Sequence, residues 1–309
     1  MILKHRDPCT NDIQELNRLL TLNLTGKQRF LVERELKCLL SGNSGESSSA
    51  YYIDFKYKDS KNWVVIHDLR IDHRGLIAQI DHMLINRFLE IYVLESKNYF
   101  YGIKITDNGE FMAYTGKAFQ GIESPIEQNK RHVELLNKSI TDRNLAPTRI
   151  GFPIPVSFKN YVLVAPNSRI DRPKQQSFDS SNVIKADAFV SLVEKEISKM
   201  SVVSTFATAT KLIGSDTLEE FGQKLVRLHR PGSINYVAKF GIVEQAQVSA
   251  PPSTVCDSAT PQWSGDKVCQ GCGVAVDKKV VFFCNINKAK FNGQIFCRDC
   301  QKSHFVSAT

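Results

Sequence analysis

Residues 79–97 read QIDHMLINRFLEIYVLESK. Its two halves are dense in Ile, Leu, Met, Val and Tyr, short enough for strands, and separated by a turn near NRFLE. Near-continuous apolar runs of this kind read as buried strands rather than half-exposed ones. Each run nevertheless holds charge: Asp81 in the first, Glu95 and Lys97 in the second.

Side chains alternate across a strand, so Glu95 and Lys97 share a face with Ile91 and Val93, and Asp81 shares one with Met83 and Ile85. A hairpin centred on Phe88 puts Asp81 opposite Glu95, with Cβ atoms about 4.5–5.5 Å apart. Two carboxylates that close in apolar surroundings repel each other and lose hydration, and unaided one of them takes up a proton. A divalent cation such as Mg²⁺, usually held by one or two carboxylates with several waters, removes the conflict. Lys97 on the same face can position water or stabilise charge on a phosphoryl group, and metal-assisted phosphodiester hydrolysis needs these parts. Taken alone, a Glu-x-Lys on a strand is also the pattern of a solvated ion pair.

The rest of the chain reads as helices and strands interleaved, which argues for an α/β core. Residues 12–40 form a helical hairpin, with Thr25 and Gln28 as a capping box, and SGNSGESSS at 41–49 reads as a break before a short helix, AYYIDFKY. NWVVIHDLRI is a strand, and GIKITDNGEFMAY a strand pair around Asn108-Gly109. Ser124, Pro125 and Glu127 open a helix running to about Ile140. YVLVAP at 161–166 is a short buried strand, and DAFVSLVEKEISKM and DTLEEFGQKLVRLH are amphipathic helices. Residues 242–262 lack Lys and Arg, are rich in Ser, Thr, Ala and Pro, and read as a linker.

Four stretches in order, GNSGE (42–46), QIDHMLI (79–85), YVLESKNYFYG (92–102) and SPIEQNKRH (124–132), resemble the nuclease-related domain (NERD) family, part of the Asp…Glu-x-Lys superfamily related to restriction endonucleases. The resemblance spans about residues 42–140. It implies a restriction-endonuclease-like three-layer core with a mixed central sheet. It also implies roles: Glu46 as the first acidic position, opening the first core helix; Asp81 and Glu95 as metal carboxylates; Lys97 as the catalytic lysine; Gln128 as the late Gln that orients substrate or lysine. Ser96 departs from the family, which more often has an apolar residue there. Without the family, Glu46 is equally a helix-start acid favoured by the dipole, and His132, four residues after Gln128, a surface polar group. His67, His73 and His82 show no metal spacing and read as packed or solvated.

CQGC at 269–272 and CRDC at 297–300 make a Cys-x-x-Cys…Cys-x-x-Cys pattern, a strong signal for a structural zinc on Cys269, Cys272, Cys297 and Cys300. VVFFC and GQIFC are expected to be strands around an Asn292-Gly293 turn, giving a small β zinc ribbon. Cys284 reads as a core residue, with a ligand role the lesser alternative. With seven Lys/Arg against three Asp/Glu over 263–309 and a doubly negative Zn(Cys)₄, the module is mildly basic. Lys278, Lys279, Lys288 and Lys290 interleave with Phe282, Phe283 and Phe291, a pattern that suits single-strand contacts or merely a tiny core with a soluble rim.

The expected organisation is therefore a helical extension over 1–41, the nuclease-related domain over 42–240, a linker over 241–262 and the ribbon over 263–309. The expected activity is Mg²⁺- or Mn²⁺-dependent hydrolysis of phosphodiester bonds in DNA, with the ribbon helping to engage nucleic acid. The alternative is a catalytically inactive nucleic-acid-binding or regulatory protein on a nuclease fold. A formal charge of +8 favours an acidic partner. The ribbon could also dock a protein. With no signal-peptide pattern and no apolar run of membrane-spanning length, a cytoplasmic location without membrane contact is expected.

Overall fold

The computed structural model describes residues 1–174, 178–203, 212–243, 268–286, 291, 293–298 and 300–301. The strands are β1 (Ile2–Lys4), β2 (Trp63–His73), β3 (Leu76–Asn86), β4 (Glu90–Lys97), β5 (Ile103–Ile105), β6 (Phe111–Tyr114), β7 (Phe119–Ile122), β8 (Thr148–Arg149), β9 (Phe152–Pro153), β10 (Ser157–Val164), β11 (Ile170–Asp171) and β12 (Val183–Lys185). The helices are α1 (Thr10–Leu20), α2 (Gly26–Tyr57), α3 (Pro125–Asp142), α4 (Phe189–Val203), α5 (Ser215–Val226), α6 (Tyr236–Lys239) and α7 (Lys278–Ile286). They fall into two compact units, Met1–Gln245 and Ala246–Thr309.

In the first unit β1-β2-β3-β4-β10-β12 form one mixed sheet. β2, β3 and β4 are antiparallel, whereas β10 runs parallel to β4 and β12, and β1 parallel to β2. Alternation divides the apolar side chains between two layers. Ile66, Met83, Ile85, Ile91 and Val93 pack with Leu135, Leu136 and Ile140 of α3 and Phe221 and Leu225 of α5. Val65, Leu84, Tyr92 and Leu94 face Ile53 and Tyr57 of α2 and Phe189 and Val193 of α4. The result is the expected three-layer core with a helical layer on each face of a mixed sheet, and buried polar backbone is paired within the ladders.

The hairpin register is the one that alternation requires. His82 pairs with Leu94, Met83 with Val93, Leu84 with Tyr92 and Ile85 with Ile91, each pair centred on Phe88. α3 starts as its capping pattern predicts, with Ser124 Oγ accepting from the Glu127 N–H at 3.3 Å and Pro125 in the first turn.

One expectation in this unit is overturned. SGNSGESSS is no break: α2 runs unbroken from Gly26 to Tyr57, behind the Thr25–Gln28 capping box. Nothing in 41–49 is a proline, and tertiary packing outweighs the weak helix propensity of Ser and Gly. Gly45 is buried against β4's end, where a Cβ would lie 2.7 Å from Asn98 Cβ. The expected boundary at residue 41 thus lies inside a helix, and β1 places the N-terminal segment in the central sheet. Gly45→Ala, although it replaces a poor helix former with the best, is expected to destabilise the protein by about 1–3 kcal/mol through overpacking. Thermal denaturation checks this: a lowered midpoint is expected, and a raised one would mean that propensity governs.

Ile242, at the start of the expected linker, packs with Leu16, Leu19 and Tyr236, and Gln28 Nε2 donates to the Gly241 carbonyl at 2.9 Å. The remainder, from residue 244 to 267, lies outside the described residues.

In the second unit VVFFC is helical, not a strand: it lies in α7, where the Asp277 carboxylate accepts from the Val280 N–H at 2.8 Å in N-cap fashion. Val280 and Cys284, four apart, are both buried, which is helical period. GQIFC forms no strand either. The described β structure of this unit is the Val268–Ala275 bridge around the first cysteine pair. Lys288 and Lys290 lie outside the described residues, as do the side chains of Lys278, Lys279 and Phe282.

Candidate functional site

β3 and β4 deliver Asp81, Glu95 and Lys97 to the face covered by α3, as alternation requires. Glu95 is buried, only 3% exposed. Its Oε1 lies 2.7 Å from Lys97 Nζ. Lys97 Nζ also donates to Gln128 Oε1 at 3.1 Å, because Gln128 sits in the first turns of α3. One turn on, His132 Nδ1 lies 3.5 Å from Glu95 Oε2, too far for a hydrogen bond. Both of those atoms are buried without a hydrogen-bond partner. His132 is thus part of this cluster, not a surface group; its place one turn from Gln128 was the available signal. Burial, then Lys97 and Arg131, lower its pKa to about 4, so the ring is neutral at pH 7.

Asp81 Oδ2 accepts the Ser96 backbone N–H at 2.7 Å, across the hairpin from β4. Burial pushes the Asp81 carboxyl well above the usual carboxylate range, and Glu95 and Glu46 push the same way, against the Ser96 N–H and Lys97. Burial likewise raises Glu95, against Lys97.

Glu46 sits in mid-helix on α2, so a helix-start role is excluded. Its Oε2 is 2.7 Å from an Arg6 guanidinium nitrogen, and the same nitrogen reaches Asn43 Oδ1 at 2.8 Å. Burial raises the Glu46 carboxyl, Arg6 opposes, and Asp68 adds to the rise. Asp68 stands between His67 and Leu69, which pair with His82 and Ile80, so it lies in β2 across from Asp81. Its φ of 52° is left-handed, a conformation that costs a non-glycine residue on the order of 1 kcal/mol and is concentrated at functional sites.

Arg6 has no local signal, because it reaches Glu46 only where β1 joins the sheet; Asp68 comes across from Asp81 by the unbroken β2–β3 register, and only its left-handed backbone has no local signal. Among the described residues, Glu46, Asp81 and Glu95 do not bring their ligand oxygens within 4.8 Å of one another; Arg6 holds the first and Lys97 the last. The donor set still suits a hard divalent cation: carboxylate oxygens, one of them buried and unpartnered.

His67, His73 and His82 are buried. His67 Nδ1 is 2.7 Å from His82 Nδ1 and its Nε2 2.8 Å from Asp54 Oδ1; His73 Nε2 is 3.1 Å from Asp142 Oδ2. They are packed, hydrogen-bonded groups, with no set of three metal-binding groups among them.

In the second unit the sulfurs of Cys269, Cys272, Cys297 and Cys300 all lie within 4.8 Å of one another, and Cys272 Sγ is 3.6 Å from Cys297 Sγ. Tetrahedral Zn–S bonds of about 2.3 Å place sulfurs ~3.8 Å apart, so the cluster fits zinc. Cys269 Sγ accepts backbone N–H groups from Cys297 at 3.1 Å and Gly271 at 3.4 Å. Burial acts to raise its pKa, but these donors bring the thiol down to about 6, ready to ligate as thiolate. Cys284 stays outside the cluster. It is buried, with the Phe296 and Gln301 nitrogens 3.5 Å and 3.4 Å from its sulfur.

Among the described residues, no helix is long and apolar enough to cross a membrane. No curated protein and no solved structure matches the chain. Residues 41–164 match the sequence profile of the family described as nuclease-related domain. This stretch carries Glu46, Asp81, Glu95, Lys97 and Gln128 together, and the chain therefore contains a nuclease-related domain over residues 41–164.

Proposed function

We propose that the protein is a divalent-metal-dependent nuclease that hydrolyses phosphodiester bonds in DNA, with the zinc module helping to engage the nucleic acid. One observation carries the reading: the buried Glu95 carboxylate keeps one oxygen on Lys97 and the other without a partner, beside Asp81 and Glu46. An oxygen left open beside two further carboxylates is what a cation would complete. Asp81 and Glu95, with Glu46, would hold Mg²⁺ or Mn²⁺, which when bound supplies Lewis acidity and a more acidic water.

The chain's own groups divide the remaining work. The Lys97 ammonium, oriented by Gln128 and Glu95, lies where it can hold the attacking water and offset negative charge gathering on the phosphoryl oxygens. Neutral His132 limits the freedom of Glu95 without adding positive charge. Arg6 would hold Glu46 in place. A cytoplasmic setting and a protein partner for the zinc module belong to the same reading.

Labelled single- and double-stranded DNA incubated with the pure chain tests this. Cleavage with Mg²⁺ or Mn²⁺, lost in EDTA, is expected. Tight DNA binding without cleavage would favour the inactive binder.

Stability offers an independent readout. A carboxyl whose folded pKa is raised contributes stability that is present at pH below the ordinary carboxylate value, about 4, and is lost as pH rises through the raised folded value. Asp81, Glu95 and Glu46 are all raised, so metal-free protein is expected to lose thermal stability on going from pH 4.5 to 7.5. Asp81→Asn should shrink that loss. At pH 7.5 Mn²⁺ at a hundredfold its Kd adds about 2.7 kcal/mol, roughly 5–10 °C for a domain of this size. No metal shift in the wild type, or an equal one in Asp81→Asn, would contradict the assignment.

A further inference from the structure

Four aromatic rings that neither the core nor the carboxylate site uses stand in a row just beyond β4. Phe100 and Tyr101 follow Lys97 by three and four residues, Tyr114 ends β6 and Phe119 opens β7. They are 74%, 53%, 36% and 46% exposed. Neighbouring centroids lie 4.8 Å (Phe100–Tyr101), 6.0 Å (Tyr101–Tyr114) and 5.1 Å (Tyr114–Phe119) apart.

Register explains why they stay outside. In β5–β7, Lys104 pairs with Met112 and Met112 with Gly121, while Tyr114 pairs with Phe119. These residues form the outward face. The inward residues Ile103, Ile105 and Phe111 are buried with Ile126, Val162 and Val164. Lys104 Nζ sits 5.7 Å from the Phe119 ring centroid, and Lys117 is exposed in the turn between Tyr114 and Phe119. No Asp or Glu occurs from Phe111 to Ile122.

The face is also open and pre-formed. A Cβ on Gly121 would meet nothing within 4 Å, which leaves bare backbone beside the rings. Gly116, at a φ of 91°, turns the chain under Tyr101, where a Cβ would come 3.0 Å from the ring. Tyr114 OH donates to the Gly116 carbonyl at 3.2 Å. Fixed rings lose little freedom when a ligand stacks on them.

We propose that this face binds unpaired DNA: successive bases stack on Tyr101, Tyr114 and Phe119 while Lys104 and Lys117 meet the backbone phosphates. Exposed rings interleaved with cations are the means by which proteins hold single strands without reading sequence. A duplex, whose bases are already stacked on each other, cannot use the rings. The row begins three residues after Lys97, the last residue of β4. The inference deepens the DNA reading above and rests on it for the choice of nucleic acid.

The test uses the full chain with its zinc retained and no Mg²⁺ or Mn²⁺ added, with fluorescence anisotropy of a labelled thymine oligonucleotide and of a mixed-sequence duplex. The double variant Tyr114→Ala/Phe119→Ala is expected to weaken single-strand binding by at least about tenfold and to change duplex binding less than twofold. The ring-keeping double variant Tyr114→Phe/Phe119→Tyr should bind like wild type. If the alanine variant does not fold, Lys104→Ala is the alternative, and the slope of log affinity against log salt should fall by about 0.7. No single-strand binding by wild type, unchanged binding by the variants, or equal loss on duplex overturns the proposal. So does a wild-type dimer that the ring variants render monomeric, which would make the face a self-contact. Binding is read without added Mg²⁺ or Mn²⁺, so a chain that binds but never cuts contradicts the nuclease reading alone. One that cuts while the ring variants bind normally contradicts this face alone.

Discussion

Lys97→Ala is expected to lower the rate of Mg²⁺-dependent DNA cleavage by about 10²–10³-fold, the usual cost of removing one pre-positioned charge-stabilising donor. Asp81→Ala should cost at least as much, because it removes a carboxylate from the cation rather than one contact to the phosphoryl group. Alanine at 97 also strands Glu95, whose Oε1 would lose its partner at 2.7 Å, and an unpaired buried carboxylate is destabilising. Lys97→Arg separates the two effects. It keeps a cation for Glu95, but its planar fork does not reproduce the single ammonium that Gln128 holds at 3.1 Å. A folded Lys97→Arg chain with a rate at least tenfold below wild type is the expected result. A Lys97→Ala chain that is folded and cuts within tenfold of wild type would show that Lys97 is structural.

The second large effect concerns the cysteines. The described core of the C-terminal unit contains Cys269, Val280, Cys284, Phe291 and Phe296, and so small an apolar core supplies little folding free energy on its own. Zinc on four thiolates contributes on the order of 10 kcal/mol in such modules. The full chain is therefore expected to purify with one zinc per molecule. Cys272→Ser should lose most of it, and chelation should expose the thiols of Cys269, Cys297 and Cys300 to alkylation. Zinc-free protein whose four thiols resist alkylation until a reductant is added would mean disulfides instead.

Much of the carboxylate site is legible in the sequence because it is built from local rules. Period-two alternation puts Asp81, Glu95 and Lys97 on one face, and the turn near Phe88 sets the register. Ser124 and Pro125 start α3 early enough to bring Gln128 to Lys97. What alternation and capping do not reveal is tertiary. Arg6 meets Glu46 only through the parallel pairing of β1 with β2. Asp68 comes opposite Asp81 through the unbroken β2–β3 register, and only its left-handed backbone is demanded by no local pattern. SGNSGESSS reads as a break because Ser and Gly are poor helix formers, yet Gly45 is there to let α2 press against Asn98. VVFFC is a five-residue apolar run that fits strand and buried helix equally; the Asp277 cap and the burial of Val280 with Cys284 decide for helix.

The placement of the acids also explains how the opening hairpin tolerates its charges without bound metal. Arg6 and Lys97 are cations supplied by the chain itself, one for Glu46 and one for Glu95. Asp81 has a backbone N–H and no cation at hydrogen-bonding distance, and burial with Glu95 and Glu46 favours its neutral form.

In the proposed function, Asp81 and Glu95 share a divalent cation. Crystals grown with Mn²⁺ and measured near its absorption edge test this most directly. The expected result is an anomalous peak ligated by carboxylate oxygens of both residues, absent in Asp81→Asn. A manganese peak elsewhere in the nuclease-related domain with Asp81 and Glu95 left unligated, in a protein that still cuts DNA, would contradict it.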